Sequence, residues 1–214
     1  ALCLERNKAV LCEKPICVNA QEAQKLVAQS RKNNIFLMEA MWTRFMPAVI
    51  RLKKDIDSGV IGTPQLVQAD FGITKAPEAG SRFYEKKLAA GALLDLGIYT
   101  INFSNIVFGS QPKGISGYAQ FTDQGVDRLS TYNLIYSEGR QALLSASVAL
   151  STPHQARIYG DTGRIVVDDF YHPQQYQIIP NGKNSQLVNE EFEGFGYLYE
   201  AREVQRCLLE GKTE

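Results

Sequence analysis

Asp95 and Tyr99 stand four residues apart in the stretch Ala90-Gly91-Ala92-Leu93-Leu94-Asp95-Leu96-Gly97-Ile98-Tyr99. A phenol can carry a proton to or from a substrate, and a carboxylate can orient a partner. On a helix this spacing sets both groups on one face. Leu94, Ile98 and Ile101 follow the same rhythm on a neighbouring stripe, and few positions up to Gly109 are polar. A helix this apolar is mostly buried. Two readings stay open for the pair. Each group satisfies a backbone group or a turn, or the two form a proton-transfer site in a cleft with Tyr99 as acid/base.

Other residues suited to chemistry are scattered. Glu13-Lys14-Pro15 follows a short apolar run at 8–12 that suits a buried parallel strand, which Pro15 then stops. Ligands of open α/β sheets bind at such strand ends. Lys14 is either a ligand contact there or a solvated turn residue. Trp42, the only tryptophan, sits beside Arg44 in a loop and is either a core anchor or a pocket wall. Phe71 falls on the apolar side of a strand, where core is the default. His172, in the turn Tyr171-His172-Pro173, reads as a solvated loop residue. Gly194-Phe195-Gly196 has Tyr199 where a dinucleotide fingerprint needs a third small residue, so it is no phosphate loop. Cys3, Cys12, Cys17 and Cys207 have no zinc-ribbon spacing, His154 and His172 are the only histidines, and no G-x-S-x-G occurs. No metal site and no Ser-His-Asp hydrolase are expected.

The elements that must position these residues read in two parts. Residues 1 to about 40 run helix, strand, helix, strand, as in the tail of a doubly wound α/β sheet. Asn19 caps the second helix with Glu22 as its reciprocal partner, and Asn33-Asn34 ends it. A second short buried strand is expected at 35–38. Phe45, Val49, Leu52 and Ile56 then mark a helix closed by Gly59. Val67, Ala69, Phe71 and Ile73 alternate with polar or small residues, the pattern of a strand buried on one face. A surface loop covers 75–81. After the apolar helix come strand-like runs near 114–122, 128–137, 141–149, 155–160, 163–168, 174–179 and 186–192. Hairpin connections fall at 137–140 and 160–163, and a closing amphipathic helix at 197–209. The second part therefore reads as a large, mostly antiparallel sheet with helices on one face.

Bulk composition narrows the partners. The 214 residues are 44% hydrophobic and 21% charged, with 23 basic and 23 acidic side chains. That balance gives no drive toward nucleic acid or an anionic membrane. No apolar run is expected to reach the ~20 residues of a membrane span, and no secretory signal precedes the first structured stretch. Scattered thiols in apolar contexts suggest a reducing, cytoplasmic compartment.

Taken in order, the motifs are more specific than any one of them. Glu13-Lys14-Pro15, the run from Glu39 through Trp42 and Arg44 to Phe45 with Pro47, Gly62-Thr63-Pro64 before a strand, Gly91 to Tyr99, and Gly160-Asp161-Thr162-Gly163 together resemble the Gfo/Idh/MocA oxidoreductase family. Tyr99, where many members carry His, resembles the branch of NADP-dependent dehydrogenases acting on trans-dihydrodiols or on aldoses of the D-xylose type. The resemblance implies an α/β (α+β) chain in which residues 1–40 are the C-terminal part of a Rossmann-like NADP-binding domain. Residues 41–214 would form a substrate-binding and dimerisation α/β domain with a large, mostly antiparallel open sheet. It also implies a fragment of a longer enzyme, cut at both ends. Carried over, Tyr99 is the general acid/base and Lys14 lowers its pKa from ~10. Asp95 orients substrate or Lys14. Glu13, Lys14 and Arg44 contact the cofactor, and Trp42, Phe71, Asp95 and Tyr99 contact the diol or sugar. A homodimer through the sheet is expected. The competing reading is a non-catalytic sugar-, cofactor- or protein-binding scaffold of the same fold, or an inactive fragment.

Overall fold

Val10–Glu13 (β1) and Leu37–Ala40 (β2) pair in parallel, Val10 opposite Leu37 and Glu13 opposite Ala40. The helix between them, Ala20–Asn33 (α2), starts where expected. Asn19 Oδ1 accepts from Glu22 N at 2.9 Å, and Asn19 Nδ2 reaches Glu22 Oε1 at 3.0 Å. It ends at Asn34 in the left-handed region that asparagine tolerates. Leu4, from the single-turn helix Leu2–Glu5 (α1), packs with Ile35 and Leu37, and Val10, Leu26 and Val27 close around them. The computed structural model describes residues 1–76, 80–109 and 111–214. Pro77 and its two successors, part of the loop expected at 75–81, lie outside them.

The chain divides into two compact units, residues 1–45 with 193–214, and residues 46–192. The closing helix, Leu198–Leu209 (α5), belongs to the first unit, whereas the sequence reading groups it with 41–214. Two contacts explain its return. It packs on the 3₁₀ turn Trp42–Phe45, and beyond it Thr213 O accepts from Leu37 N at 3.1 Å. In its first turn Glu200 is 6% exposed, and its Oε2 has no hydrogen-bond partner among the described residues. Burial, then the charge of Glu13, push the Glu200 carboxyl up to about 7.

The second unit is built on one eight-stranded sheet ordered β10-β9-β8-β7-β3-β6-β5-β4. Its strands are Pro64–Gly72 (β3), Gly114–Phe121 (β4), Asp127–Ile135 (β5), Gln141–Ser147 (β6), Ala156–Gly160 (β7), Gly163–Val167 (β8), Gln175–Pro180 (β9) and Gln186–Asn189 (β10). All pairings are antiparallel except β3 with β6, so the mostly antiparallel sheet is as read. Alternation sets its buried face: Val67, Ala69 and Phe71 on β3, and Ala142, Leu144 and Ala146 on β6, are buried. Pro47–Asp57 (α3) and Ile98–Phe108 (α4) pack on the sheet and on each other. The Tyr176 hydroxyl on β9 donates to Asp55 of α3; burial and that carboxylate hold the phenol far above its ordinary pKa. Contrary to expectation, Lys86–Phe108 is long and apolar enough to cross a membrane by length and composition. Most of its apolar window is buried, as in a core helix.

The helix expected from Gly91 onward is not α-helical throughout. Leu93–Gly97 forms a π turn, and the α-helix begins at Ile98. Such a turn adds a residue to the helical circuit and leaves backbone groups needing new partners. Two side chains of β5 supply them. Asp127 Oδ2 accepts from Leu93 N at 2.8 Å. The Tyr132 hydroxyl lies 3.1 Å from Gly97 O and 2.5 Å from Thr100 Oγ1, which itself donates to Gly97 O at 2.8 Å. Burial keeps the Tyr132 phenol well above its ordinary pKa, so it stays a donor. Both flanking glycines now have reasons. A Cβ on Gly91, at φ 129°, would lie 2.0 Å from Asp127 Oδ1, and one on Gly97 would lie 2.6 Å from the Tyr132 hydroxyl.

Gly97→Ala is therefore expected to destabilise by roughly 1–3 kcal/mol in denaturant melts. The loss shrinks in a Tyr132→Phe background, because the hydroxyl is what collides. A neutral Gly97→Ala would refute this account. Glu200 gives a pH-dependent case. Its folded pKa, about 7, exceeds the ordinary 4.5, so the stability it allows is complete below pH 4.5 and is lost as pH rises to about 7. Thermal melts of Glu200→Gln should gain on wild type across that window and plateau above it, by roughly 1–3 kcal/mol. A difference that stays flat with pH would count against the buried-carboxyl reading.

Candidate functional site

The expected site residues fall on both units: Glu13, Lys14, Trp42 and Arg44 on the first, and Phe71, Asp95 and Tyr99 on the second. In the first unit, β1 delivers Glu13 to its C-terminal end, and Lys14-Pro15 follows with a cis peptide bond. Lys14 is half-buried and Glu13 exposed. A residue not assigned a role in advance fixes this loop: Glu39 of β2 accepts from Ile16 N through Oε1 at 2.8 Å. The 3₁₀ turn after β2 carries Trp42, which is buried with its ring centroid 4.6 Å from that of Tyr197. Arg44 of the same turn is surface-exposed. It is still crowded enough that desolvation lowers its pKa, with Glu39 opposing, and an arginine so shifted keeps its charge.

In the second unit, Phe71 is the centre of an aromatic cluster. Tyr99 meets it edge-on at 5.4 Å between centroids, Tyr171 stacks on it at 4.5 Å, and the His154 ring lies at 4.8 Å. The structure thus brings Phe71 and Tyr99 together, both buried. Tyr171 also meets Tyr99 edge-on at 6.1 Å, and His172 stacks on Tyr171 at 4.0 Å. His172 is half-buried rather than the solvated loop residue expected. The turn-like tripeptide around it gave no sign that Tyr171 would join the cluster.

His154 locks the end of β3. Its backbone N–H donates to Asp70 Oδ2 at 2.9 Å, and its Nε2 lies 2.6 Å from Gly72 O. It thereby grips the residues on both sides of Phe71. It does so at φ 58°, a left-handed conformation costly for a non-glycine residue. Strain held in this way clusters at functional sites.

Asp95 lies in the π turn, with its side chain 13% exposed. Arg82 Nη1 reaches both its carboxylate oxygens at 3.1 Å. Asp95 and Tyr99 stand about one turn apart across the change from π to α geometry. Tyr99 turns to the aromatic cluster, and Asp95 to a cation from the preceding segment. Chemically, this unit offers a buried phenol in an apolar aromatic wall and an ion-paired carboxylate one turn before it. The first unit offers an ammonium group at the end of a parallel strand.

The GFO/IDH/MocA C-terminal domain matches residues 49–166, and the oxidoreductase family with an NAD-binding Rossmann fold matches residues 1–41. The trans-1,2-dihydrobenzene-1,2-diol dehydrogenase of Xenopus tropicalis is 38% identical over the whole chain, which covers 66% of that protein. The Mus musculus protein of the same name is 34% identical, with 65% of it covered. The chain thus spans just under two thirds of the length of these curated relatives. Among solved structures, the aldose-aldose oxidoreductase from Caulobacter crescentus complexed with glycerol has a TM-score of 0.88 at 20% identity, covering 98% of this chain and 64% of that one. A 3-ketoreductase from Actinomadura kijaniata in complex with NADP and TDP-benzene has a TM-score of 0.86 at 23% identity, covering 99% and 66%. These two likenesses show the fold, and the domain matches and the relatives show the family: the chain belongs to the Gfo/Idh/MocA family of NAD(P)-binding oxidoreductases.

Proposed function

We propose that this chain carries the acid/base centre of an NADP-dependent dehydrogenase that oxidises a trans-dihydrodiol or an aldose of the D-xylose type. The observation that carries the proposal is the placing of Tyr99, a buried phenol edge-on to Phe71 in a wall completed by Tyr171. Such a wall suits the flat apolar face of a ring bearing two hydroxyls. The names of the relatives in Xenopus tropicalis and Mus musculus support the diol reading. The glycerol-bound aldose-aldose oxidoreductase supports the sugar reading, and the NADP of the 3-ketoreductase supports the choice of cofactor.

The residues of the first unit fit the nicotinamide end of such a cofactor. Lys14 follows the C-terminal end of a parallel strand, where open α/β sheets bind ligands. Glu200, whose buried Oε2 has no hydrogen-bond partner among the described residues, lies near enough to Glu13 for that charge to raise its pKa. Glu13, Lys14 and Arg44 are the residues that would hold the cofactor. When bound, nicotinamide supplies a two-electron hydride acceptor. Tyr99 takes the hydroxyl proton of the substrate carbon that loses hydride, leaving a carbonyl. An unperturbed phenol titrates near ~10, so a base role at neutral pH needs a cation, the role that the family resemblance gives to Lys14. Asp95 orients the substrate hydroxyl, and Phe71 lies against the substrate.

A second observation bears on assembly. Tyr118 on β4 and Leu143 on β6 are exposed on the sheet face opposite Tyr132 and the helix it contacts. An exposed apolar patch of this kind marks an interaction surface, and a second copy of the chain is its proposed occupant. All four cysteines are free thiols, in keeping with a reducing, cytoplasmic setting.

Tyr99→Phe and Lys14→Met in the full-length protein test the chemistry. Each is expected to lower kcat by about 10²–10⁴ for diol or aldose oxidation with NADP, with the circular dichroism spectrum unchanged. Survival of turnover in both variants would sink the acid/base assignment and leave the non-catalytic scaffold as the better reading. Tyr118→Asp should shift the light-scattering mass from dimer to monomer; a mass that does not move rules out the sheet face as the contact.

A further inference from the structure

Asp95 is a carboxylate of the proposed site with a cation held against it. Its side chain is 13% exposed, whereas that of Arg82 is 66% exposed. Isolated surface ion pairs contribute little. Here one partner is mostly buried, where a charge interaction is screened less than between two exposed groups. Arg82 Nη1 bridges both Asp95 oxygens at 3.1 Å, which fixes the plane of the carboxylate as well as its position. The rest of the guanidinium lies over the Phe83 ring at 4.1 Å. The segment that presents it is anchored two residues after Arg82. The buried Tyr84 hydroxyl reaches Lys75 O at 3.0 Å and Val148 O at 3.1 Å, tying the segment to the ends of β3 and β6.

We infer that Arg82 is a positioning residue of the oxidation reaction, acting through Asp95. It holds the carboxylate in one orientation on the π turn, so that Asp95 presents a fixed acceptor to a substrate hydroxyl. No family motif points to Arg82; it stands outside the stretch from Gly91 to Tyr99. The inference rests on the reading that Asp95 acts in the proposed site.

The test is a double-mutant cycle on the full-length enzyme, with Arg82→Ala, Asp95→Asn and the pair assayed for kcat and KM. Arg82→Ala alone should lower kcat/KM about tenfold, and it should have almost no further effect when Asp95 is already Asn. Arg82→Lys, which keeps a cation within reach, should recover most of the loss. Equal losses from Arg82→Ala in both backgrounds would show a structural role of the segment and overturn the inference. An impaired Asp95→Asn beside an unimpaired Arg82→Ala would overturn it while leaving the site intact. An unimpaired Asp95→Asn would remove Asp95 from the proposed mechanism, and this inference with it. Should Arg82→Ala fail to fold, Arg82→Gln enters the same cycle with the same outcomes.

Discussion

The π turn at Leu93–Gly97 is the constraint on which the site depends. A widened turn exposes backbone groups that a buried helix cannot leave to water. Asp127 and Tyr132, both from β5, meet those groups at the two ends. Each needs room at the backbone, and Gly91 and Gly97 provide it by lacking a side chain. The register of β5 against β6, with Tyr132 opposite Leu144, thereby sets the height at which the π turn sits over the sheet. The positions of Asp95 and Tyr99 follow from that. A slip in this register would move Tyr132 away from Gly97 and put an outward-facing residue in its place.

Most of the fold is legible in the residue pattern because it rests on periods of two and on local caps. The alternation at Val67, Ala69 and Phe71 leaves only one face to bury. Asn19 with Glu22 marks a helix start that depends on nothing distant. The strands from β4 to β10 are separated by turn residues, and their ends lie within a few residues of expectation. The π turn is not legible in this way. Its cause lies in side chains more than thirty residues further along the chain, Asp127 and Tyr132, and no local propensity records them. The same holds for α5. Its amphipathic pattern shows that one face is buried but not against which unit, and the answer comes from Trp42–Phe45 and Leu37.

The candidate site divides along the same line. Phe71 and Tyr99 are found by pattern and resemblance, and the cluster adds Tyr171 and His154, which neither indicated. Tyr171 sits in a tripeptide that reads as a turn, and an aromatic residue in a turn has no periodicity to place it. His154 acts through its backbone conformation and a single carbonyl, a role that residue type alone does not disclose. Arg82 carries no motif, and only its approach to Asp95 gives it meaning. Residues that do chemistry are marked by type and spacing, whereas those that hold them in place are marked by three-dimensional proximity.

The hydrogen bond from Leu37 to Thr213 also bears on how the chain reaches its native state. The second unit is one unbroken stretch, so all its strand pairings become available once residue 192 has been synthesised. The first unit is split, and its sheet edge at Leu37 stays without this partner until nearly the last residue of the stretch has emerged. Contacts so distant along the chain close slowly, because the intervening loop must lose its freedom first. The order of synthesis thus favours completing the sheet that carries Tyr99 before α5 and Thr213 close onto the first unit.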